Sequence, residues 1–219
     1  MSMIPEEHKE RLRSELQKLE KPVRIVMFTQ EFEREYCAQT RILLEELASL
    51  TDKIKVDVYD FVADSDKAKE YGIDKIPGLA IMGEKDYGVR FYGLPYGYEF
   101  QTLIEAIAVV SRGWTDLARQ TREKLKQVKV PVHIQVFVSL TCPFCSISAV
   151  LAYKFAMEND LIRADVVEVG EFPPLAVKYA VMGVPKTVIN DKKEFVGAVP
   201  EDMFLEHLLL AASQENRAA

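Results

Sequence analysis

The segment Val132-His-Ile-Gln-Val-Phe-Val-Ser-Leu-Thr-Cys-Pro-Phe-Cys145 places two cysteines three residues apart in the second half of a 219-residue chain. Before the cysteines, the apolar residues Ile134, Val136 and Val138 alternate with other residues, which predicts a β-strand. After the cysteines, apolar residues recur at the spacing of a helix: Ile147, Val150, Leu151 and Phe155. The segment therefore indicates a strand, a CxxC pair and a helix, in that order.

The region around this segment has a counterpart near the start of the chain. Val23–Phe28 resembles Val132–Phe137 at an offset of 109 residues. In both places a proline follows a cysteine by 40 residues, in the pairs Cys37 with Pro77 and Cys145 with Pro185. Because these landmarks repeat in register, the chain is predicted to contain two copies of one domain, residues 1–114 and residues 115–219.

Each copy is predicted to follow the order β-α-β-α-β-β-α. This order combines a parallel crossover with an antiparallel hairpin, so the predicted fold class is α/β, with two tandem domains and a mixed central sheet flanked by helices in each. A further helix precedes each copy. The second of these helices is predicted to open at Thr115, with Leu117, Thr121 and Leu125 on one side.

The cysteines Cys142 and Cys145 lie where a CxxC pair supports redox chemistry. At the start of a helix, Cys142 meets unpaired backbone N–H groups and the positive end of the helix dipole, which favour the thiolate. This thiolate is predicted to attack a disulfide of a partner, after which the shielded Cys145 attacks Cys142 and releases the reduced partner. Pro143 stiffens the turn, and Phe144 makes the surroundings of the sulfurs apolar. The cycle needs no cofactor and no metal, and we predict neither.

Other interpretations of the pair stay open. A zinc half-site would need further ligands, and none of the candidates has paired spacing: Cys37, His8, His133 and His207. An iron–sulfur or other metal site through Cys142 is a related alternative. The remaining alternatives are a pair of inert buried cysteines and a non-catalytic interaction module.

The first copy lacks the outer cysteine. Arg34 stands three residues before Cys37, where the second copy has its attacking sulfur. Cys37 cannot run a two-cysteine cycle without an adjacent partner. It is interpreted as a small buried residue on a helix, and the alternatives are a sensor thiol or a link between chains. The first copy is therefore predicted to be a degenerate catalytic domain that acts as a scaffold or docking surface.

Charge and hydropathy exclude several classes of function. The formal net charge is −6 and no basic run is present, which disfavours binding to nucleic acid or to anionic membranes. No apolar run approaches the roughly 18 residues needed to cross a bilayer. The first ten residues contain no apolar stretch typical of a secretory signal. We expect a cytoplasmic protein with no nucleic-acid or membrane partner.

The proline that follows the CxxC pair, just before a hairpin, resembles the corresponding proline of the thioredoxin fold. The resemblance implies that the Val184–Pro185 peptide bond is cis and that Pro185 faces the cysteine pair. It also implies that Val184 offers its backbone N–H and C=O to a bound substrate chain. Together with Pro143 and Phe144, these two residues are predicted to bind substrate. Ile76–Pro77 is the counterpart in the first copy.

Two such units in one chain resemble the glutaredoxin-like protein disulfide oxidoreductases of thermophilic bacteria and archaea. The stretches that carry the resemblance are Asp86–Phe100, Thr141–Cys145, Val184–Lys186 and Pro200–Leu205. The resemblance implies a thiol–disulfide oxidoreductase. Its implied partners are disulfide-containing proteins and a thioredoxin-reductase-like flavoenzyme that recharges the pair.

The chain departs from this family at two places. Family members typically carry a CxxC pair in both units, whereas Arg34 interrupts the first pair here, which puts any two-site mechanism in doubt. Thioredoxins also carry a buried acid six residues before the first cysteine, where this chain has Val136. The proton acceptor for Cys145 must then lie elsewhere, and Glu168 is our candidate.

Overall fold

The structure is a computed structural model that describes residues 2–30 and 35–218. Within these ranges the strands are β1 (Val23–Thr29), β2 (Ile54–Asp60), β3 (Gly78–Met82), β4 (Val89–Tyr92), β5 (Val132–Val138), β6 (Ile162–Glu168), β7 (Lys186–Ile189) and β8 (Lys193–Val196). The helices are α1 (Glu6–Leu16), α2 (Glu35–Ser49), α3 (Ser65–Glu70), α4 (Tyr98–Arg112), α5 (Arg119–Leu125), α6 (Cys145–Glu158), α7 (Pro173–Lys178) and α8 (Glu201–Ala218). The order β-α-β-α-β-β-α occurs after α1 and again after α5, as predicted. Among the described helices, none is both long enough and apolar enough to cross a membrane.

The four strands of each half pair in the same way. β1 is parallel to β2 and antiparallel to β3, which is antiparallel to β4. In the second half, β5 is parallel to β6 and antiparallel to β7, which is antiparallel to β8. The register also repeats, since Phe28 lies opposite Gly78 and Phe137 lies opposite Lys186. The mixed α/β fold and the internal repeat are therefore confirmed.

The two halves join into one eight-stranded sheet, which the sequence did not predict. β4 pairs in parallel with β6, so the strand order is β2-β1-β3-β4-β6-β5-β7-β8. Side chains reinforce the joint, because the Tyr153 hydroxyl donates to the Arg90 carbonyl at 2.9 Å and Arg163 donates to the Tyr92 hydroxyl at 2.7 Å. All four residues of β4 are buried, whereas β8 at the sheet edge alternates partly buried and exposed residues. The domain boundary at 114/115 falls between α4 and α5 and stays a prediction.

The predicted start of the second preceding helix was wrong by four residues, because α5 begins at Arg119 rather than at Thr115. Tertiary hydrogen bonds occupy the residues of the expected first turn. The Thr115 hydroxyl bonds to the Glu158 carboxylate, and the Ala118 N–H donates to the Glu201 carboxylate at 3.0 Å. Ala118 has an extended backbone (φ −54°, ψ 140°), so the helix starts only after it.

Candidate active site

Cys142 and Cys145 form a disulfide in the connection between β5 and α6. Their Cα atoms are 5.6 Å apart, within the usual range for a disulfide. Cys145 is the first residue of α6 and is fully buried, whereas Cys142 keeps 8% of its surface exposed. The two sulfurs are therefore unequal, and Cys142 is the one that an incoming group can reach.

α6 begins at Cys145, three residues after Cys142. The helix runs for 14 residues, and Phe144 at its N-cap position makes no side-chain hydrogen bond to the first turn. The backbone N–H groups of that turn and the helix dipole favour a negative charge at this end. This arrangement suits a thiolate on Cys142 when the disulfide is reduced.

The proline loop lies opposite the disulfide. The Val184–Pro185 bond is cis, and the Val184 carbonyl oxygen is 3.7 Å from Sγ of Cys142. The Gly197 N–H donates to the Pro185 carbonyl at 2.8 Å and ties this loop to the end of β8. The first half repeats the feature with a cis Ile76–Pro77 bond. The cis bond that the family resemblance implied before Pro185 is confirmed, and its facing the cysteine pair stays a prediction.

Pro143 and Phe144 lie on the outer side of the disulfide. Both are exposed, and Phe144 has 63% of its surface accessible although it is a large apolar residue. An exposed aromatic side chain next to a reactive bond suits contact with an apolar group of a partner. The role of both residues in substrate binding, like that of Val184, stays a prediction.

The first half of the chain contacts the loop that carries the cysteines. The Tyr98 N–H, at the start of α4, donates to the Leu140 carbonyl at 3.0 Å, two residues before Cys142. Gly97 has a positive φ of 59°, and a Cβ at this position would lie 2.4 Å from that same carbonyl oxygen. Only glycine fits such a close approach. The start of α4 is thus a wall of the candidate site.

Glu99 is a candidate functional residue that the sequence reasoning missed. It lies in the first turn of α4, is fully buried, and neither carboxylate oxygen has a hydrogen-bond partner among the described residues. Burial raises the pKa of Glu99 to about 7, the nearby Thr102 hydroxyl acts to lower it, and the charge of Glu168 acts to raise it. One signal was available, because Glu99 is an acid on the stripe that continues through Leu103 and Ile107.

Glu168, our candidate from the sequence, is placed differently. It ends β6 and is buried, and burial raises its pKa, whereas hydrogen bonds from the backbone N–H groups of Glu171, Gly170 and Leu140 act to lower it. The bond from Glu171 is 2.9 Å long. The Glu168 carboxylate is thus occupied by the backbone around it. Glu99, whose carboxylate oxygens accept no such backbone bonds, is a second candidate proton acceptor.

The residues considered for a zinc site lie in other environments. His133 Nε2 is 2.8 Å from the Asp165 carboxylate, and the His207 ring stacks on Phe195. Across residues 2–30 and 35–218, no group of three or more His, Cys, Asp or Glu side chains is placed to hold a metal ion. Cys37 is buried in α2. Arg34 lies outside the described residues, so its comparison with Cys142 stays a prediction.

Glu99→Gln is expected to stabilise the protein at pH 8 and to have a much smaller effect at pH 5. The folded-state pKa of Glu99, about 7, lies above the ordinary value of 4.5, so the folded protein binds this proton more tightly than the unfolded chain. Stability from this group is therefore present at low pH and is lost as the pH rises towards 7, by about 3 kcal/mol. The neutral amide avoids this loss.

Urea unfolding of both proteins at the two pH values measures this effect. Glu105→Gln, on the same helix but partly exposed, is the matched control and should change stability equally little at both pH values. Equal stability of wild type and Glu99→Gln at pH 8 would contradict the prediction.

Known proteins of the thioredoxin fold are similar to this chain in sequence and structure. Residues 132–210 match the thioredoxin domain family. The crystal structure of a protein disulfide oxidoreductase from Aeropyrum pernix is 32% identical, covers 96% of this chain and 94% of that chain, and superimposes with a TM-score of 0.90. The NTD_N/C domain of the alkylhydroperoxide reductase AhpF from Enterococcus faecalis is 26% identical, with 94% and 99% of the two chains covered and a TM-score of 0.86.

The F component of the alkyl hydroperoxide reductase of Escherichia coli is also similar, with 25% identity over 191 residues, or 87% of this chain. The chain spans 34% of the length of that protein. The Aeropyrum similarity, in contrast, extends along nearly the whole of both chains. At that coverage, 32% identity and the shared architecture show that this chain belongs to the protein disulfide oxidoreductases of the thioredoxin fold.

Proposed function

We propose that this chain catalyses thiol–disulfide exchange with protein substrates through Cys142 and Cys145. The observation that carries the proposal is the unequal burial of two bonded cysteines at the start of α6, opposite the Val184 carbonyl. A partly accessible sulfur can be attacked or can attack, whereas a fully buried one can react only with its neighbour.

The reductive cycle balances without a cofactor. The Cys142 thiolate attacks one sulfur of a substrate disulfide, so a bond forms between Cys142 and the substrate while the substrate S–S bond breaks and a thiolate leaves. Cys145 then loses its proton and attacks Sγ of Cys142, which releases the second substrate thiolate. Two electrons pass from the Cys142–Cys145 dithiol to the substrate. The same steps in reverse oxidise a substrate dithiol.

Glu99 is the proposed proton acceptor for Cys145. A carboxyl group whose pKa is about 7 is partly ionised at neutral pH and can take up or return a proton there. Support comes from its burial without a partner at the end of α4 that contacts the loop before Cys142. In this proposal the acid comes from the first half of the chain and the thiols come from the second half.

The proposed role of the first half, residues 1–114, extends beyond this one acid. Tyr96 and Tyr98 are both large and exposed, and they flank Gly97, which contacts the loop before the cysteines. Aromatic side chains are favoured contact residues in protein interfaces. We therefore assign the first half the role of scaffold and substrate-docking surface, and residues 115–219 the role of the redox domain.

A flavin-dependent reductase of the thioredoxin-reductase kind is the proposed electron donor, and disulfide-containing proteins are the proposed substrates. The similarity to the F component of the alkyl hydroperoxide reductase supports a place next to a reductase. The cytoplasm, where close cysteine pairs are usually catalytic, is the proposed location.

Reduction of insulin by dithiothreitol tests the proposal. The wild-type protein is expected to accelerate insulin precipitation well above the uncatalysed rate. Cys37→Ala is the matched control, because it removes the cysteine of the first half and should leave the rate near that of wild type. A redox titration of the Cys142–Cys145 pair against a glutathione buffer then fixes the direction of electron flow. A wild-type protein that gives no acceleration would overturn the proposal and favour a non-catalytic interaction module.

A further inference from the structure

Lys186, the residue directly after the cis-proline, is buried although it carries a charge. Only 4% of its surface is exposed. Its Nζ donates to the Tyr179 carbonyl at 2.6 Å and to the Ala180 carbonyl at 3.4 Å, and it lies 3.0 Å from the Glu194 carboxylate. The three donors of the ammonium group thus meet three acceptors.

This arrangement has a clear physical meaning. A buried ammonium group is costly unless each of its donors is matched, so the site exists only because the two carbonyls and the carboxylate converge on it. Conversely, the two carbonyls belong to the irregular end of a helix and depend on Lys186 for a donor. The lysine therefore holds this stretch of backbone firmly in one place.

The stretch that Lys186 holds leads directly to the disulfide. Tyr179 is the C-cap residue directly after α7, and Ala180 has a left-handed backbone with φ of 46°, which turns the chain away from the helix. The next residues reach Val184, whose carbonyl oxygen lies 3.7 Å from Sγ of Cys142. This loop, residues 179–184, also presents Met182, which is 95% exposed. Lys186 thus bonds to the start of the loop whose end faces Sγ of Cys142.

The first half fixes the corresponding carbonyl by a different route. Tyr71 is the C-cap residue of α3, as Tyr179 is of α7, and its carbonyl accepts a hydrogen bond of 2.9 Å from Nε of the buried Arg90. After Pro77 stands Gly78, where a Cβ would lie only 2.6 Å from the Lys75 carbonyl oxygen, so no side chain fits.

The strand that carries the buried cation differs between the two halves, and the strand order of the sheet explains the difference. Arg90 comes from β4, an interior strand in which a long side chain can be buried. The matching strand of the second half, β8, lies at the sheet edge, and there the cation comes from β7 instead. Two side chains from different strands thus donate hydrogen bonds to equivalent carbonyls. This repetition indicates that the loop before each cis-proline requires an internal cation to hold it.

We propose that Lys186 is a positioning residue for disulfide exchange with polypeptide substrates. It fixes loop 179–184 so that the Val184 backbone and Met182 meet the chain that carries the substrate disulfide. The inference rests on the proposed function, since it assumes that Cys142 exchanges disulfides with proteins. A small disulfide that makes no contact with the loop does not depend on Lys186.

Steady-state kinetics of Lys186→Met with two substrates test this inference. With insulin, KM is expected to rise about tenfold, because binding must then also order the loop that Lys186 no longer holds, while kcat changes little. With 5,5′-dithiobis(2-nitrobenzoate), a small disulfide, the rate should stay near that of wild type. Lys186→Arg, which keeps a buried cation, should recover most of the affinity for insulin.

Two further variants separate positioning from general damage to the fold. Arg90→Met removes the matching cation of the first half and should lower stability without raising KM for insulin. Glu194→Gln keeps Lys186 but removes its charged partner, and it should raise KM for insulin slightly even if Lys186→Met does not fold. An unchanged KM in Glu194→Gln and Lys186→Met, or equal losses on both substrates, overturns the inference. Failure of the wild type with insulin overturns the proposed function instead.

Discussion

Cys142→Ser is expected to abolish insulin reduction, with a loss of at least about 10³-fold, because the hydroxyl group cannot replace the attacking thiolate. The unequal burial of the two sulfurs leads to a different expectation for Cys145→Ser. This variant keeps the accessible sulfur but lacks the one that resolves the mixed disulfide. It should therefore accumulate a covalent complex with its substrate.

Mass spectrometry under non-reducing conditions distinguishes the two variants. Cys145→Ser incubated with a disulfide-bonded peptide should show an adduct on Cys142, and dithiothreitol should remove it. Cys142→Ser should show none, because its remaining cysteine of the pair is buried. An adduct on Cys145 rather than on Cys142 would reverse the assigned roles, and equal activity of Cys142→Ser and wild type would exclude the mechanism.

Asp165→Asn is expected to lower the free energy of unfolding by about 2–3 kcal/mol, because it removes the counter-charge of Arg163, whose side chain is only partly buried. Asp165 lies in β6 and is 1% exposed. Its carboxylate accepts hydrogen bonds from Arg163 at 2.7 and 3.0 Å and lies 2.8 Å from Nε2 of His133. Arg163 also bonds to Tyr92 across the joint between the two halves. The substitution thus weakens the strand pairing that unites the sheet.

The stabilisation that the Asp165 carboxylate provides is expected to depend on pH. Burial by itself would raise the pKa of Asp165, but the contacts with His133 and Arg163 outweigh it and lower the pKa to about 2. Since the folded-state pKa lies below the ordinary value of 3.8, the stabilisation is present above pH 4 and is lost as the pH falls towards 2. The Asn variant lacks this loss, so the two proteins should approach each other in stability at acid pH.

Urea unfolding at pH 7 and at pH 3 measures both quantities. Asp66→Asn is the matched control, because Asp66 is fully exposed and pairs only with an exposed lysine. Its effect should stay within about 0.5 kcal/mol at both pH values. If Asp165→Asn were no more destabilising than this control, the ion cluster would have no role in joining the halves.

Much of the fold was predictable because its signals are local. The alternation of Ile134, Val136 and Val138 correctly predicted β5, and the repeated spacing from cysteine to proline correctly predicted two copies of one arrangement. The start of α5 was wrong, because Thr115 and Ala118 bond to residues far along the chain. The spacing of apolar residues along the chain does not predict hydrogen bonds between residues that are far apart in sequence.

The residues of the candidate site also fall into two groups, those that the sequence identified and those that it did not. Cys142 and Cys145 were identified from the sequence because strand, cysteines and helix are contiguous, and the disulfide confirms their proximity. Glu99 was missed because it belongs to the other half of the chain. The helix that carries Glu99 meets the loop before the cysteines only in the folded protein, where the Tyr98 N–H donates to the Leu140 carbonyl. An acid on an apolar stripe was a signal of a buried carboxyl group, but it did not indicate which part of the second half α4 would contact.

The sequence by itself determined the order of the elements, the internal repeat and the reactive pair, because hydrophobic period and short spacings are properties of neighbouring residues. The tertiary structure alone decided that β4 pairs with β6, that Glu99 is buried without a partner, and that Lys186 and Arg90 hold equivalent carbonyls from different strands. These features depend on which strands end at a sheet edge and which are covered. Packing between distant segments decides which residues are covered. Burial then raises the pKa of an acid such as Glu99, and it makes a cation such as Lys186 depend on nearby acceptors.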